Sequence, residues 1–305
     1  MTRLTVAKNL LLENLNSKIL RKVLTYDIAD IVPYINWLYF FHAWGLSGKP
    51  AGEKEKMKQE ALLMLKSWYG KYHTHALFRL MKACSDGDDI VLIDDLNDKI
   101  NGQTIRSEVR IPMLRQQKVS ADGQPNLCLS DFLRPIYMEK TDCLGIFCAT
   151  VDAEIVELYR HDDYQSMLAQ TLSDRLAEAT AERMHQEVRT TFWGYAADEK
   201  LTMEQLLRED YQGIRPAVGY PSMPDTSINF LLDEILGMKE VGIRLTESGM
   251  MTPHASVSGL MFSHPKAHYF ELGKIGEDQL RDYANRRGIP VELMRRFLQS
   301  SLMKK

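Results

Sequence analysis

One long helical pattern, over residues 162–192, constrains the fold of this chain most strongly. At about 1.5 Å per residue, such a helix would span on the order of 45 Å and could form the spine of a domain. Its apolar positions recur every four residues, which predicts one buried face. These positions are Tyr164, Leu168, Leu172 and Leu176.

An acidic ridge follows the other side of the same pattern. Asp174 lies two residues from both Leu172 and Leu176, so it must point away from their face, and Glu178 and Glu182 continue its row. Like charges four residues apart repel by about 0.2–0.5 kcal/mol. The ridge is therefore either a solvated face or a surface that meets cations or a partner.

The rest of the chain alternates helices and strands in irregular order. Helical patterns cover residues 27–46, 53–69, 228–236, 277–287 and 290–300, after an amphipathic lead-in over residues 1–25. Strand patterns cover residues 77–81, 90–93, 144–148, 243–246, 256–262 and 269–272, with a tight turn at 85–88 between the first two. The absence of a repeated strand–helix rhythm favours an α+β fold over a doubly wound sheet.

The charge balance excludes several classes of protein. With 38 Lys and Arg against 41 Asp and Glu, the net charge is −3, which disfavours general binding to nucleic acid or anionic lipid. The most apolar stretch, residues 31–46, is short and contains Pro33, Asn36 and His42, so we expect no membrane span. Residues 1–21 lack a signal-peptide pattern, and we expect a cytoplasmic protein.

Cysteine and histidine give no metal pattern. The four cysteines (Cys84, Cys128, Cys143 and Cys148) are irregularly spaced, which favours reduced, partly buried thiols. The eight histidines form no H-E-x-x-H pair, so the sequence predicts no metal site.

The segment from Tyr211 to Pro221 is the strongest candidate for a site. Pro216 and Pro221 bias their preceding residues toward extended backbone, and Gly219 allows a ligand to approach the main chain closely. Arg215 in so stiff a loop suits bidentate capture of a carboxylate. The alternative is a structural loop with a surface arginine.

An aromatic helix over residues 33–44 is a second candidate. It carries more rings than one buried stripe needs, although core packing explains most of them. Its polar exception is Asn36, which either faces a ligand or satisfies a neighbouring backbone group.

Several blocks together resemble the activation domain of cobalamin-dependent methionine synthase. They occur in the order of that family and cover roughly residues 26–300. They are V-P-Y-I-N-W from Val32, H-D-D-Y from His161, D-R-L-A-E-A from Asp174, the loop from Tyr211 to Pro221, L-T-E-S from Leu245, A-S-V-S-G from Ala255 and F-S-H-P from Phe262.

The resemblance implies a C-shaped single domain of the α+β class. Its central, mainly antiparallel twisted sheet would be flanked by helices, one of them long. Residues 26–305 would form the activation domain, and residues 1–25 an N-terminal helical extension. In that family the domain binds S-adenosylmethionine in a groove and covers cobalamin that another domain holds. A flavodoxin-type donor supplies an electron, and S-adenosylmethionine then methylates cob(I)alamin.

The resemblance also implies roles for individual residues. Arg215 matches the residue that holds the methionine carboxylate, and Tyr220 lies beside the methyl donor, as the one position assigned to catalysis. The further ligand-binding positions are Asn36, Glu209, Ala217, Tyr269 and Phe270. The positions facing cobalamin or the partner are Asp174, Glu178, Ser256 and Ser258.

Two departures from the family pattern matter. Asn36 replaces an acidic residue, which removes a negative charge near the positive groups of the ligand and could weaken binding by about 1–3 kcal/mol. The chain also lacks a D-x-H-x-x-G cobalamin signature and starts about 25 residues before the resemblance. We therefore expect it to act in trans on a cobalamin-binding methionine synthase chain, and not on homocysteine alone.

Two alternatives stay open. The chain could be a non-catalytic capping subunit of a corrinoid protein with weak or lost S-adenosylmethionine binding. A free-standing small-molecule methyltransferase is the weaker alternative, because no glycine-rich strand–turn–helix fingerprint is present.

Overall fold

The computed structural model describes residues 20–100, 103–117, 123 and 125–303. Its strands are β1 Leu20–Asp27, β2 His73–Asp86, β3 Asp89–Ile100, β4 Gln103–Pro112, β5 Asp142–Val151, β6 Arg244–Leu245, β7 Met251–Thr252 and β8 Ser256–Met261. Its helices are α1 Ile28–Ile31, α2 Trp37–Ala43, α3 Ala51–Trp68, α4 Glu154–Glu157, α5 Asp163–Glu187, α6 Met203–Leu207, α7 Ile228–Leu236, α8 Glu277–Arg287 and α9 Val291–Phe297.

The main sheet contains six antiparallel strands. They follow the order β4-β3-β2-β5-β8, and β1 pairs with the first half of β2, while β3 pairs with its last residues. Strands β6 and β7 form a separate two-stranded ribbon. The predicted α+β class with an antiparallel sheet and one long helix is thus confirmed.

Alternation along the central strands divides the core between the two faces of the sheet. In β2, Leu77 and Met81 point to the face that α7 covers, whereas Phe78 and Leu80 point to the face that the second half of α5 covers. The first half of α5 packs with α1 to α3 in another cluster, around Trp68. The long helix therefore spans two packing regions, and its middle lies where they meet.

Three local expectations are wrong. Residues 20–25, expected in a helical extension, belong to β1, because Leu20–Asp27 pairs with β2 along its whole length; residues 1–19 lie outside the described part of the chain. The helix expected over residues 27–46 is interrupted, since a 3-10 turn contains Pro33, which has no N–H, and Asn36 starts a new helix. Residues 269–272 form a loop and not a strand.

A loop extends the sheet beyond β8. Ile214 and Phe262 exchange two backbone hydrogen bonds of 3.0 and 2.9 Å, and Leu260 N–H donates to Pro216 O at 3.0 Å. The segment from Ile214 to Val218 thus runs along the free edge of β8 as an irregular partner. No helix in the described ranges is long and apolar enough to cross a membrane.

Candidate functional site

A cleft lies between α2, the middle of α5 and the loop that follows Ile214. It consists of a cavity of about 760 Å³ and a second of about 410 Å³, within the size range typical of small-molecule sites. Both cavities are lined by Tyr39, Glu178, Glu209, Arg215 and Tyr220. Three elements distant in sequence therefore converge on one space.

The cleft contains most of the residues that the sequence singled out for ligand binding. Asn36 lines the larger cavity, and Ala217, Tyr269 and Phe270 line the smaller one. Asp174, Ser256 and Ser258 line neither cavity. The ligand-facing and partner-facing sets are thus largely separate.

Arg215 forms a buried ion pair at the junction of the two cavities. Its Nη2 lies 2.6 Å from Oε2 of Glu182, and the two side chains are only 12% and 6% exposed. Its Nη1 donates to the Tyr211 hydroxyl at 2.5 Å. Glu182, on the ridge that the sequence left as either solvated or in contact with cations or a partner, is buried against a cation, because the loop brings Arg215 onto this part of α5.

A neutral histidine lies behind this pair. Burial lowers the pKa of His185 well below its ordinary value, and the charges of Arg189 and Arg215 lower it further. Its Nδ1 is 3.5 Å from Arg215 Nη1, and its ring meets Tyr211 edge-on at 5.2 Å. The uncharged imidazole therefore fills the space behind Arg215 without adding another positive charge.

A second buried ion pair supports Tyr211 from the opposite side. Arg189 donates to both carboxylate oxygens of Glu199, at 3.0 and 2.8 Å, and its guanidinium lies 3.8 Å from the centre of the Tyr211 ring. Tyr211 is thus held by its ring and, through Arg215, by its hydroxyl.

Two glycines let the loop approach β8 closely. Gly213 has φ +89°, and a Cβ there would lie 2.2 Å from Phe262 O. A Cβ on Gly259 would lie 2.2 Å from Pro216 O. Larger residues would separate the loop from the strand and displace Arg215.

Tyr269 ties a second loop to the first. Its hydroxyl accepts a hydrogen bond from the backbone N–H of Arg215 at 3.0 Å. Phe270 packs beside Phe132, with ring centres 6.4 Å apart, and contributes an apolar wall. The loop that replaces the expected strand at 269–272 therefore completes the smaller cavity.

Tyr220 and Glu178 meet across the cleft. The Tyr220 hydroxyl donates to Oε1 of Glu178. Burial and the Glu178 charge raise the pKa of Tyr220, so the phenol stays protonated at neutral pH. Tyr220 is still 47% exposed, and its ring bounds the opening of the cleft.

Asn36 and Glu209 lie on the walls of the larger cavity. The Asn36 side-chain oxygen accepts from Leu38 N–H at 3.1 Å and caps α2, so it is already engaged. Glu209 has φ +62°, and burial raises the pKa of its carboxyl, an effect that Arg215 opposes.

The residues that the sequence placed facing the partner differ in their exposure and contacts. Asp174 lies 3.3 Å from Nδ1 of the exposed His254, and desolvation raises the pKa of its carboxyl. Ser256 is half-buried and bonds to Pro253 O at 2.7 Å. Ser258 is completely buried and donates to Asn229, so its expected partner-facing position is wrong. The loop along β8 covers Ser258.

Sequence reasoning missed other cleft residues. Tyr39 and His42, on the aromatic helix, and Arg175, next to the acidic ridge, line the larger cavity. Each of them is a polar residue next to apolar positions of a helix, and this was the sequence signal that could have identified it. In the described segments, no group of three His, Cys, Asp or Glu could hold a metal ion, and all four cysteines are free.

The site therefore presents a buried arginine, several carboxylates and aromatic walls. Such a set suits an organic ligand that combines a carboxylate, positive groups and a flat ring system.

Comparisons with known proteins agree with the sequence resemblance. The sequence model of the family described as "Vitamin B12 dependent methionine synthase, activation domain" matches residues 27–288. A solved structure described as the MetH reactivation domain bound to AdoHcy matches with a TM-score of 0.85 and 35% identity. That match covers 95% of this chain and 92% of the other. Both similarities extend over the cleft.

Proposed function

Since this chain belongs to the family of vitamin B12 dependent methionine synthase activation domains, we propose that it binds S-adenosylmethionine in the cleft around Arg215 and supports reductive methylation of partner-bound cob(I)alamin. The observation that carries the proposal is the position of Arg215, whose guanidinium is held from behind at the junction of two cavities. The solved relative binds AdoHcy, the product of the same donor.

The residues present fit such a donor. The guanidinium of Arg215 contacts Tyr211, Glu182 and, at 3.5 Å, His185, and it has five N–H donors, so capacity is left for a carboxylate. Ala217 and the pair Tyr269 and Phe270 would line the nucleoside part, while Asn36 and Glu209 line the larger cavity. The combined volume of the cleft accommodates a ligand of this size.

In the expected reaction, the side chains of the protein mainly have to position the donor. A sulfonium methyl is already activated for displacement, and the partner's corrinoid supplies the nucleophile. The protein must align the donor and keep water away, and such orientation can lower the barrier by about 7–11 kcal/mol in well-oriented systems. Arg215 anchors one end of the donor, and Tyr220 limits the position of its methyl group.

The corrinoid partner would be a methionine synthase chain that carries the cobalamin module, with a flavodoxin-type protein as electron donor. The 305 residues contain no D-x-H-x-x-G motif, which supports cobalamin binding elsewhere. Capping a corrin requires an interface of at least about 1,000 Å². Asp174 and Glu178, beside the opening of the cleft, are the proposed contact positions.

A capping subunit without useful donor binding is the second candidate. Two observations favour it: Glu182 already neutralises Arg215, and Asn36 brings no charge. In this case the cleft would serve only to seat the partner.

Calorimetric titration with S-adenosylmethionine tests the proposal. We expect saturable binding that Arg215→Ala weakens by at least about tenfold, the value of one charged hydrogen bond. Arg295→Ala, which removes a surface ion pair with Glu277, is the control and should leave binding unchanged. Absence of binding at millimolar ligand, with and without a cobalamin-loaded partner, would favour the capping subunit.

Transfer of an isotopically labelled methyl group tests the second step. The wild-type protein, a reduced corrinoid protein and labelled S-adenosylmethionine should yield labelled methylcobalamin. Binding without transfer to any cobalamin-loaded methionine synthase module would contradict the methylation role.

A further inference from the structure

Glu182 has an oxygen that the fold does not use. Its Oε2 binds Arg215 Nη2, but Oε1 is buried and has no hydrogen-bond partner among the backbone groups and side chains that the structure describes. A buried acceptor without a donor is destabilising, and such groups point to a role beyond packing.

This carboxylate also belongs to the wall of the cleft. Glu182 lines the larger cavity together with Arg215, so the cavity is the side from which a ligand approaches it. The terminal torsion of a glutamate is broad and nearly two-fold. A small rotation can therefore present the free oxygen to the cavity while the other oxygen keeps its contact with Arg215.

The charge balance of the pair indicates what it would receive. Arg215 and Glu182 together are neutral, so a carboxylate bound alone at Arg215 would add an uncompensated negative charge in a buried place. An amino-acid group carries both a carboxylate and an ammonium. Such a group can place its carboxylate against Arg215 and its ammonium against Glu182 at the same time.

Other acceptors near the cleft are less suited to the ammonium. The Asn36 oxygen caps α2, and Glu178 accepts from Tyr220. Glu209 also lines both cavities, but it is more exposed to water than Glu182, and a charge pair is worth less there.

We propose that Glu182 binds the α-ammonium of the amino-acid portion of the ligand while Arg215 binds its carboxylate. The inference rests on the proposed function, since it assumes a donor of the S-adenosylmethionine type. It assigns recognition of the amino group to a buried carboxylate on the wall of the cleft, a role that requires no acidic residue at position 36.

Two ligands separate this role from a purely structural one. S-adenosylhomocysteine carries the whole amino-acid group, and a synthetic analogue with hydrogen in place of the α-amino group keeps the carboxylate and the nucleoside. Wild-type protein should bind the first at least about tenfold more tightly than the second in calorimetric titration.

Glu182→Gln should act on the two ligands differently. It should lower the affinity for S-adenosylhomocysteine by about tenfold or more. The deaminated analogue should bind to the variant as tightly as to wild type or more tightly, since Arg215 is no longer paired with the Glu182 carboxylate. Glu187→Gln, the matched control on α5, removes a carboxylate that pairs with Arg183 and lines neither cavity, and it should leave the ratio of the two affinities as in wild type. Circular dichroism and thermal unfolding confirm that each variant is folded.

The outcomes are distinguishable. If Glu182→Gln lowers the affinities for both ligands equally, so that their ratio is unchanged, the ammonium role is overturned and the proposed function still holds. Failure of wild-type protein to bind either ligand overturns both. If Glu182→Gln does not fold, Glu182→Asp, which keeps the charge but withdraws it by one methylene, should reduce the affinity ratio; an unchanged ratio in that variant also overturns the role.

Discussion

The hydroxyl of Tyr269 accepts a hydrogen bond from the backbone N–H of Arg215 at 3.0 Å, which joins two loops that are far apart in the chain. This contact fixes the main chain at the position whose side chain anchors the cleft. The proline after Arg215 restricts the same residue from the other side.

Tyr269→Phe should therefore loosen the site without unfolding the protein. Losing one neutral hydrogen bond costs about 0.5–1.5 kcal/mol, so we expect affinity for S-adenosylhomocysteine to fall roughly threefold to tenfold. Titration calorimetry measures the change. Tyr137→Phe, at a tyrosine that is 81% exposed, serves as the control. Equal affinities in wild type and Tyr269→Phe would show that the contact does not position Arg215.

Arg215→Ala should destabilise the fold as well as remove binding. It leaves Glu182 buried without its partner, and breaking a buried pair in this way typically costs about 3–5 kcal/mol. The double variant Arg215→Ala with Glu182→Gln should recover part of this loss but no ligand binding. Urea unfolding measures the stabilities. If the single and double variants were equally unstable, the unpaired carboxylate would not be the cause.

His185 should make stability depend on pH. Its pKa is lowered in the folded protein, so below about pH 6.5 the unfolded chain binds a proton that the native state does not. Stability must then fall as pH decreases, by up to about 1.4 kcal/mol per pH unit for this one group. The difference in unfolding free energy between wild type and His185→Gln, measured from pH 7.5 to 5, isolates the effect. Parallel curves would contradict it.

Gly259→Ala should push the loop away from β8. The added Cβ would lie 2.2 Å from Pro216 O and 2.9 Å from the Ala217 Cα, and such overpacking costs about 1–3 kcal/mol. We expect a lower melting temperature together with weaker ligand binding. Gly52→Ala, in α3 with no atom within 4 Å of the new Cβ, should be neutral or slightly stabilising. Wild-type affinity in Gly259→Ala would mean that the loop adapts.

Tyr220→Ala should separate binding from methyl transfer. Tyr220 bounds the cleft opening and bonds to Glu178, but Arg215 and the aromatic walls remain. We expect affinity for S-adenosylhomocysteine to change less than about threefold, because only a half-exposed contact is lost, whereas transfer to partner-bound cob(I)alamin should slow markedly. Single-turnover assays at saturating donor test this, and an unchanged rate would remove Tyr220 from the reaction.

Features governed by local sequence were predictable. The long helix, the turn near Gly87 and the stiff loop around Arg215 all follow from periodicity, turn residues and prolines. The cleft residues on that loop and on the aromatic helix came largely from the family resemblance, which identified positions but not contacts.

Features that depend on distant pairing were not predictable. Strand β1 forms because Leu20–Asp27 pairs with β2. No local sequence pattern indicates this pairing. The sequence placed Glu182 on the acidic ridge without deciding whether the ridge meets solvent or a cation, and each step of four residues turns a helix by about 40° beyond a full circle. Two such steps from Asp174 carry the row around α5 to the place where Arg215 covers it.

The pairing of Asp174 with His254 has a consequence for the partner contact that we propose at this carboxylate. A group that arrives at this carboxylate finds an imidazole of the chain already in place, only 3.3 Å away, so occupation of the position is an exchange of one contact for another. Such an exchange adds little to the binding affinity, but it disfavours any incoming group that pairs with Asp174 less well than His254 does. In the proposed complex, Asp174 therefore contributes selectivity, and most of the binding free energy must come from other contacts between the two proteins.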